Sequence, residues 1–572
     1  MAGDARLHAL GHGVGRGRRG GVEGEGQKEQ EAKLHRSPHC ARFLRGFAGS
    51  VFGQNDHTSG RAGGSCRSCR RPNGTDAQNA HPCIPAEPVD KKYELLAREL
   101  EASISEGTFR PGERLPSVRE LVASRGVSPS TVFEAYALLE SRGVVEARPR
   151  AGYFARQRSA AAPQPAISKP ATSPRPVAIH DLVMEVLGSV RDHDVIPLGS
   201  AFPNPALFPL ERLARGMGAG MRRLEPARML RDLTPGNDEL RRQLALRYVA
   251  HGTLASADEI VLTSGAMEAL NLCLQAVTKP GDAVAIESPA FYGCLQALER
   301  LGLKAVEIAT HPRDGVQLDS LAAALQRQAI KACWFMPNLQ NPTGASMPAD
   351  NRKALVELLA RHRVPLIEDD VYAELYFGVR RPLPAKSFDR EGWVMHCSSF
   401  SKSLAPGYRV GWVAAGRFVR EVERLKLMGT ISVAVPSQVA VLEFLLRGAF
   451  DRHLRQLRAT LAAQQALAVR AITKHFPAGT RVTTPDGGYF LWVELPREVD
   501  AFALHGLALS HGISLAPGPL FSGGGRFTHH VRVNYGHPTA AQLESGLRTV
   551  GKMAGLTRRT ERPAPAAARA SS

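Results

Sequence analysis

Ser398-Ser399-Phe400-Ser401-Lys402-Ser403-Leu404-Ala405-Pro406-Gly407-Tyr408-Arg409-Val410-Gly411-Trp412 sets one lysine among small hydroxyl residues, after a strand-like run and ahead of a Pro-Gly turn and an arginine. A lysine so placed can form a Schiff base with an aldehyde cofactor. Ser399, three residues earlier, and Arg409, seven later, add a hydroxyl and a guanidinium suited to a dianionic phosphate. Lys402 alone reads as a solvated surface lysine; the whole string overturns that reading. Ser399-Phe400-Ser401-Lys402 also satisfies S-x-x-K, a serine-nucleophile motif, but the S-D-N and K-T-G strings that accompany it are missing from the sequence.

Five further strings lie in strand-like runs, at their ends, or in turns. Thr263-Ser264-Gly265-Ala266-Met267-Glu268 follows a strand and opens a helix, so the amides near Gly265 and Ala266 are placed to receive a phosphate at a helix N-terminus, with plain capping as the bland alternative. Pro289-Ala290-Phe291-Tyr292-Gly293 offers an aromatic ring, which taken alone is a core ring, and Asn341-Pro342-Thr343-Gly344 is a turn by composition. Asp369-Asp370-Val371-Tyr372 follows a strand at Val364 to Glu368, and Arg532 sits in the strand-like His530-Val531-Arg532-Val533-Asn534.

These strings together resemble fold-type I enzymes dependent on pyridoxal 5'-phosphate, the aminotransferase superfamily. The resemblance implies Lys402 as the Schiff-base lysine, with Gly265, Ala266, Ser399 and Arg409 around the phosphate and Phe291 stacked on the pyridine. It also implies that Asn341 and Tyr372 contact the phenolic oxygen, Asp369 pairs with the ring nitrogen, and Arg532 grips a substrate carboxylate. The cofactor is an electron sink only while its pyridine stays protonated; a unit charge about 4 Å away at an effective dielectric of 20 is worth about 4 kcal/mol, enough for a carboxylate to hold that proton. Asp370 competes for this role, and Asp369 is preferred because a tyrosine stands three residues after it. The position of Ala266 often carries a hydroxyl in the family.

Upstream, Tyr93, Leu96, Leu100 and Ile104 keep to one helical face, which Gly107 and Pro111-Gly112 close. Ser117-Val118-Arg119-Glu120 is written as a capping box, Arg125-Gly126-Val127 as a turn, and Ser128 with Pro129 as the N-cap and first position of a third helix. Val132, Ala135, Tyr136 and Leu139 make its buried stripe, leaving Ser130, Thr131, Phe133 and Glu134 outward. With the strand-like pairs through Gly143 to Phe154, this reads as a helix-turn-helix plus a β-hairpin wing, against a small helical bundle as the alternative. Phe109 to Leu121 and Val127 to Val132 resemble the GntR-type winged helix, which implies that Arg119, Ser128, Ser130, Thr131 and the wing's Gly152 face DNA. Pro129 stands where that family often has arginine, and Arg150-Ala151 falls one place off its basic-then-glycine order. Acidic and basic residues roughly balance across this region, so a modest phosphate footprint is expected.

The 572 residues, a formal charge of +19 and a sequence pI near 9.9 bound the rest. That length exceeds one ordinary core, and the basic balance suits a polyanionic partner. The reading is a multidomain chain: an N-terminal extension at 1–85, without hydrophobic period and expected to be disordered or an over-extended start; a winged helix-turn-helix at 86–155; an Ala-, Pro- and Ser-rich linker at 156–179; an α/β aminotransferase-like domain with a mostly parallel sheet at 180–555; and a disordered tail at 556–572. Cys273, Cys294, Cys333 and Cys397 fall in apolar runs and read as reduced core thiols. Cys66-x-x-Cys69 with His81 and Cys83 lacks paired ligand spacing, so no metal is expected. No run of 18 apolar residues and no export signal occurs, which excludes a membrane span by this reading and makes the cytoplasm the expected place. The two halves in this order resemble MocR-type members of the GntR regulators. This implies a double-stranded DNA operator, pyridoxal phosphate or a small amino compound as effector, and a head-to-tail homodimer; a working aminotransferase with a secondary DNA-binding domain is the alternative.

Overall fold

A computed structural model describes residues 92–556 apart from 111, 142–143, 149–150, 156–162, 192–194 and 379. The 1–85 extension with its cysteine–histidine set, and the tail from 557, lie outside the described residues.

The N-terminal module forms as its capping signals direct. Helix α1 (Lys92–Ser105) packs on α3 (Pro129–Ser141), and α2 (Val118–Arg125) begins at a complete capping box between Ser117 and Glu120 and ends on Gly126 at φ 62°. That left-handed conformation is one glycine adopts without a Cβ penalty. Val132, Ala135, Tyr136 and Leu139 are fully buried, and the Tyr136 ring stacks on Tyr153 with centroids 4.0 Å apart, tying α3 to the hairpin of β1 (Val145–Arg148) and β2 (Gly152–Ala155). The Tyr136 hydroxyl donates to the Pro116 carbonyl, so one residue joins all three parts of the module.

The larger part is built on a nine-stranded sheet. Its strands are β3 (Arg175–Pro176), β5 (Ile260–Thr263), β6 (Ala283–Ser288), β7 (Lys304–His311), β8 (Gly315–Val316), β9 (Ile330–Phe335), β10 (Leu366–Asp369), β11 (Val394–Ser399) and β12 (Gly411–Ala414), with β4 (Ile196–Pro197) paired elsewhere to Ile513–Ser514. The order is β3-β7-β6-β9-β10-β11-β12-β5; the five central strands β7, β6, β9, β10 and β11 run parallel. Four of these strands, β6, β9, β10 and β11, are buried at nearly every position, as a parallel sheet covered on both faces requires. β12 and β5 add antiparallel at one edge, which leaves the sheet mostly parallel as expected. A smaller four-stranded sheet includes Phe490–Glu494 and His530–Asn534. Cys273, Cys294, Cys333 and Cys397 are buried and unpaired, as their apolar settings predicted.

The composition of 156–179 predicts a tether, but residues 163–176 lie stitched along the larger domain. Val482 N donates to Pro163 O, Ala166 N to Glu494, Thr310 N to Ser168 Oγ (2.9 Å), Arg526 to Lys169 O and Gln328 to Thr172 O, before β3 pairs with β7. A proline-rich chain is already extended, so little order is lost when neighbouring groups supply its partners. Val177 and Ile179 then enter the main apolar core.

Candidate functional site

Parallel strands deliver their C-terminal residues to one edge, and the sequence-predicted groups gather there. Asp369 ends β10 opposite Cys397 of β11; Ser399 ends β11 opposite Gly411; Gly411 pairs in turn with Thr263 of β5. A Cβ on Gly411 would stand 2.6 Å from the Gly265 carbonyl carbon, so the glycine lets the loop after β5 press against the lysine strand. Gly265 itself has φ 87°, and a Cβ there would lie 2.2 Å from Arg409 Nη2. Arg409 donates to the Ser264 carbonyl (3.0 Å) and to Ser401 Oγ (3.2 Å), with its own φ at 53°. Ala266, the first residue of the helix Ala266–Val277, completes this cradle.

A cavity of about 180 Å³ is lined by Ala266, Phe291, Asp369, Tyr372, Ser399, Ser401, Lys402 and Arg409. Asp369 is 1% exposed and its Oδ1 has no hydrogen-bond partner. Burial, reinforced by the charge of Asp370, pushes its carboxyl up to about 7. Burial, with Arg532 and Arg409 nearby, pulls Lys402 down to about 7, Asp369 opposing. A neutral lysine is the nucleophilic form, and a buried carboxyl oxygen without a partner suits a cationic N–H donor. Tyr372 accepts from Asn341 Nδ2 (3.4 Å), Asn341 Oδ1 accepts from Arg532 Nη1 (3.1 Å), and burial raises the Tyr372 hydroxyl while lowering the Arg532 guanidinium. Seven of the nine predicted cofactor residues line this cavity, with Gly265 against Arg409 and Asn341 bonded to Tyr372, and the donor set of cations, small residues, a buried acid and an amine fits a phosphorylated pyridine aldehyde.

Sequence reasoning missed several members. Ser401 was in view as part of the lysine string, but only the folded turn shows that Arg409 uses it. Ala201 and Phe202 line the cavity, the Ala201 carbonyl accepting from Lys402 Nζ (2.9 Å) and from the Tyr489 hydroxyl (3.1 Å). No periodicity marks that segment.

In the winged helix, Arg119, Ser128 and Ser130 are exposed and Thr131 half-buried. Ser128 Oγ lies 2.8 Å from both Ser130 Oγ and Thr131 Oγ1, so the hydroxyls at the start of α3 form one cluster. Gly152 has φ 101°, and Arg114, a residue not singled out in the sequence, packs over it at 3.2 Å from a would-be Cβ. Among the described residues one group, Glu494, His529 and His530, brings ligand-type atoms within 4.8 Å of one another, but Glu494 already accepts from the Ala166 amide and stands 3.8 Å from Arg481. No helix among the described residues is long and apolar enough to cross a membrane.

This fold and cavity define a fold-type I aminotransferase-like domain, whose cofactor is pyridoxal 5'-phosphate. Comparison agrees: residues 226–550 match the aminotransferase class I and II family and residues 92–154 the gntR family of bacterial regulatory proteins. The chain is 46% identical to the HTH-type transcriptional regulator YdcR of Escherichia coli K12, over 81% of this chain and 99% of that one. It is 38% identical to YjiR of the same organism, over 81% and 98%. The solved Pyrococcus horikoshii kynurenine aminotransferase superposes with a TM-score of 0.62 at 28% identity, over 66% of this chain and 94% of that one. The chain belongs to the GntR family of transcriptional regulators, in the MocR-type branch that joins the winged helix to an aminotransferase-like domain.

Proposed function

We propose that the aminotransferase-like domain holds pyridoxal phosphate through Lys402 and that the cofactor itself or a small amino compound bound there alters the hold of the winged helix on a double-stranded operator. The observation that carries this reading is the convergence of Lys402, Asp369, Tyr372 and Arg409 on one cavity. Bound cofactor supplies an electron sink to an amino compound. Around it, Ser399, Ser401, Arg409 and the amides at Gly265 and Ala266 bind the phosphate, and Phe291 stacks on the ring. Asp369 keeps the ring nitrogen protonated, Tyr372 and Asn341 orient the phenolic oxygen, and Arg532 grips a carboxylate in a planar two-point contact. Arg119, Ser128, Ser130, Thr131 and Gly152 face the DNA, the helix start reading bases and the arginine holding phosphate.

The molecule works in the cytoplasm as a head-to-tail homodimer. Support for a second copy comes from exposed apolar residues on two segments joined by the Thr234 N to Ile431 O hydrogen bond: Leu230 (75% exposed), Met428 (71%) and Ile431 (54%). Apolar side chains grouped this way mark an association surface.

A working aminotransferase is the second reading, favoured by one observation: a lysine near neutrality beside the cavity is suited to moving a proton. One experiment separates the two. Purified protein is given a panel of amino acids, with visible absorbance, operator affinity and turnover with a keto acid all recorded. The regulatory reading expects spectral change and a shift in DNA affinity with slow or no multiple turnover; efficient turnover with no specific DNA site reverses the assignment.

A further inference from the structure

Gly199, Ser200, Ala201 and Phe202 form a short segment that meets two cations of the ligand site, Lys402 and Arg532. Arg532 Nη2 donates to the carbonyls of Gly199 (2.8 Å) and Ser200 (3.1 Å). Lys402 Nζ donates to the carbonyl of Ala201 (2.9 Å), and the Phe202 ring centroid lies 3.7 Å from the same nitrogen. The segment is seated rather than loose: Asn534 Nδ2 donates to the carbonyls of Ser200 (2.9 Å) and Phe202 (2.8 Å), and Ser200 Oγ lies 2.7 Å from His537 Nδ1. Gly199 fits only as glycine, since a Cβ would stand 2.7 Å from the Leu515 carbonyl.

Resting on the reading that Arg532 receives a carboxylate, we propose that Gly199–Phe202 is a built-in competitor for the amino-compound site, whose carbonyls hold Arg532 until the ligand's carboxylate takes it. The chemistry sets the direction of exchange. A carbonyl is a neutral acceptor, whereas a carboxylate offers two charged oxygens to the guanidinium fork, so a ligand bearing the anion displaces the segment and one lacking it does not. Arg532 Nε, buried and without a partner, remains available to complete the two-point contact. The segment follows β4 and the helix His180–Arg191, which the chain reaches from the strap at 163–176.

The test uses full-length protein loaded with pyridoxal phosphate and two reagents, methoxyamine and aminooxyacetate. Both replace the Lys402 nitrogen at the cofactor's carbonyl carbon and release the lysine as a free amine; only aminooxyacetate brings a carboxylate. Hydrogen exchange in peptides covering 198–204 is expected to quicken several-fold with aminooxyacetate and to stay near its starting rate with methoxyamine. Equal exchange with both reagents, while absorbance shows that both have reacted, overturns the proposal. If no absorbance change occurs because the protein holds no cofactor at Lys402, the functional reading beneath it fails instead, and the two failures are told apart by the spectrum. A second variant, His537→Ala, releases Ser200 without touching the cofactor residues. It is expected to raise exchange in the same peptides before any reagent is added, and to lower the midpoint of an L-alanine titration by the same factor by which the displaced fraction of the segment rises. An unchanged midpoint and unchanged exchange in that variant also overturn it.

Discussion

Asp369 and Asp370 are adjacent at the end of β10, yet they serve opposite sides of the sheet end. Asp369 lines the cofactor cavity with an oxygen left unpartnered, while Asp370 accepts from Arg381 Nη2 (3.0 Å), His396 Nε2 (2.9 Å) and Asn338 Nδ2 (3.0 Å). Strand alternation sends consecutive side chains to opposite faces, so one acid faces the cavity and the other is used up in the scaffold. The Asp370 side continues inward. Trp412 Nε1 donates to the Tyr248 hydroxyl (2.9 Å), which lies 2.6 Å from His396 Nδ1, while His396 Nε2 lies 2.9 Å from Asp370 Oδ2. Burial opposes the Asp370 charge, but Arg381 and His396 outweigh it and hold the carboxyl below its usual range.

The two acids should separate on mutation. Asp370→Ala leaves Arg381 and His396 buried without their shared partner and is expected to cost about 3–5 kcal/mol in urea unfolding, the range for breaking a buried pair. Asp369→Asn is expected to leave stability equal or higher while changing the absorption of bound cofactor. A stability loss in Asp369→Asn as large as that in Asp370→Ala would contradict the division of roles.

A pH series on cofactor-free protein checks the Asp369 environment. Its carboxyl stands at 3.8 unfolded and about 7 folded, so between those values the folded chain holds a proton that the unfolded chain has released. Stability from this group is full below pH 3.8 and falls as pH rises to about 7, after which its contribution is flat. Lys402, lowered from 10.5 to about 7, acts the other way, its penalty fading from pH 7 toward 10.5. Wild type minus Asp369→Asn should therefore slope downward between about pH 4 and 7 and level off above.

The phosphate cradle is tested at Gly265. An alanine there is strained at φ 87° and drives its methyl into the Arg409 guanidinium, so Gly265→Ala should weaken cofactor binding by tenfold or more with the fold intact by circular dichroism. Lys402→Ala should retain loosely held cofactor through the phosphate contacts but lose the borohydride-reducible linkage. Unchanged reducible linkage in Lys402→Ala would remove Lys402 from its assigned role.

Much of this site was legible because its chemistry is tied to short strings: Ser398 to Trp412, Thr263 to Ala269, and the aspartate–tyrosine pair each stand at a strand end, where the fold must present them. The winged helix was legible for a different reason, since its caps at Ser117 and Ser128 and the turn at Gly126 are local signals. What was hidden depends on distant partners. The strap at 163–176 has a linker's composition, and only the neighbouring edge of β7, Thr310 and Glu494 make it ordered. Gly199–Phe202 carries no period or motif, and its importance comes from Lys402 and Arg532, two hundred and more residues away. The use of Asp370 depended on Arg381 and His396, which sequence order does not place beside it.

The winged helix should lose its fold independently of the cofactor domain. Tyr136 is fully buried, stacks on Tyr153 and bonds the Pro116 carbonyl, so Tyr136→Ala is expected to cost about 3–5 kcal/mol within that module. Operator binding should vanish while cofactor absorbance persists. Loss of both together would show that the module's stability is not separable.

Contacts to DNA should divide by type. Arg119 is exposed on α2, so Arg119→Ala is expected to weaken all sequences alike and flatten the salt dependence by about one phosphate contact. Ser130 and Thr131 are joined through Ser128 Oγ, so Thr131→Ala both removes a hydroxyl proposed to read bases and loosens that cluster. It should alter sequence preference, with about 1–3 kcal/mol of discrimination lost at the contacted base pair. A uniform loss from Thr131→Ala, measured across operator variants at fixed salt, would move that residue to the phosphate-contacting group.

Linkage between the two ends of the molecule is the last expectation. Whatever ligand changes operator affinity must have its own affinity changed by the same factor when operator is present, because the coupling free energy belongs to the pair of sites and not to either one. Pyridoxal phosphate titrated into cofactor-free protein, and an amino acid titrated into the loaded protein, should each be followed with and without operator DNA. A signal-carrying ligand gives midpoints displaced by the ratio seen in the DNA titration. Identical curves with and without DNA would show that this ligand is not the signal, however tightly Lys402 and Arg532 hold it.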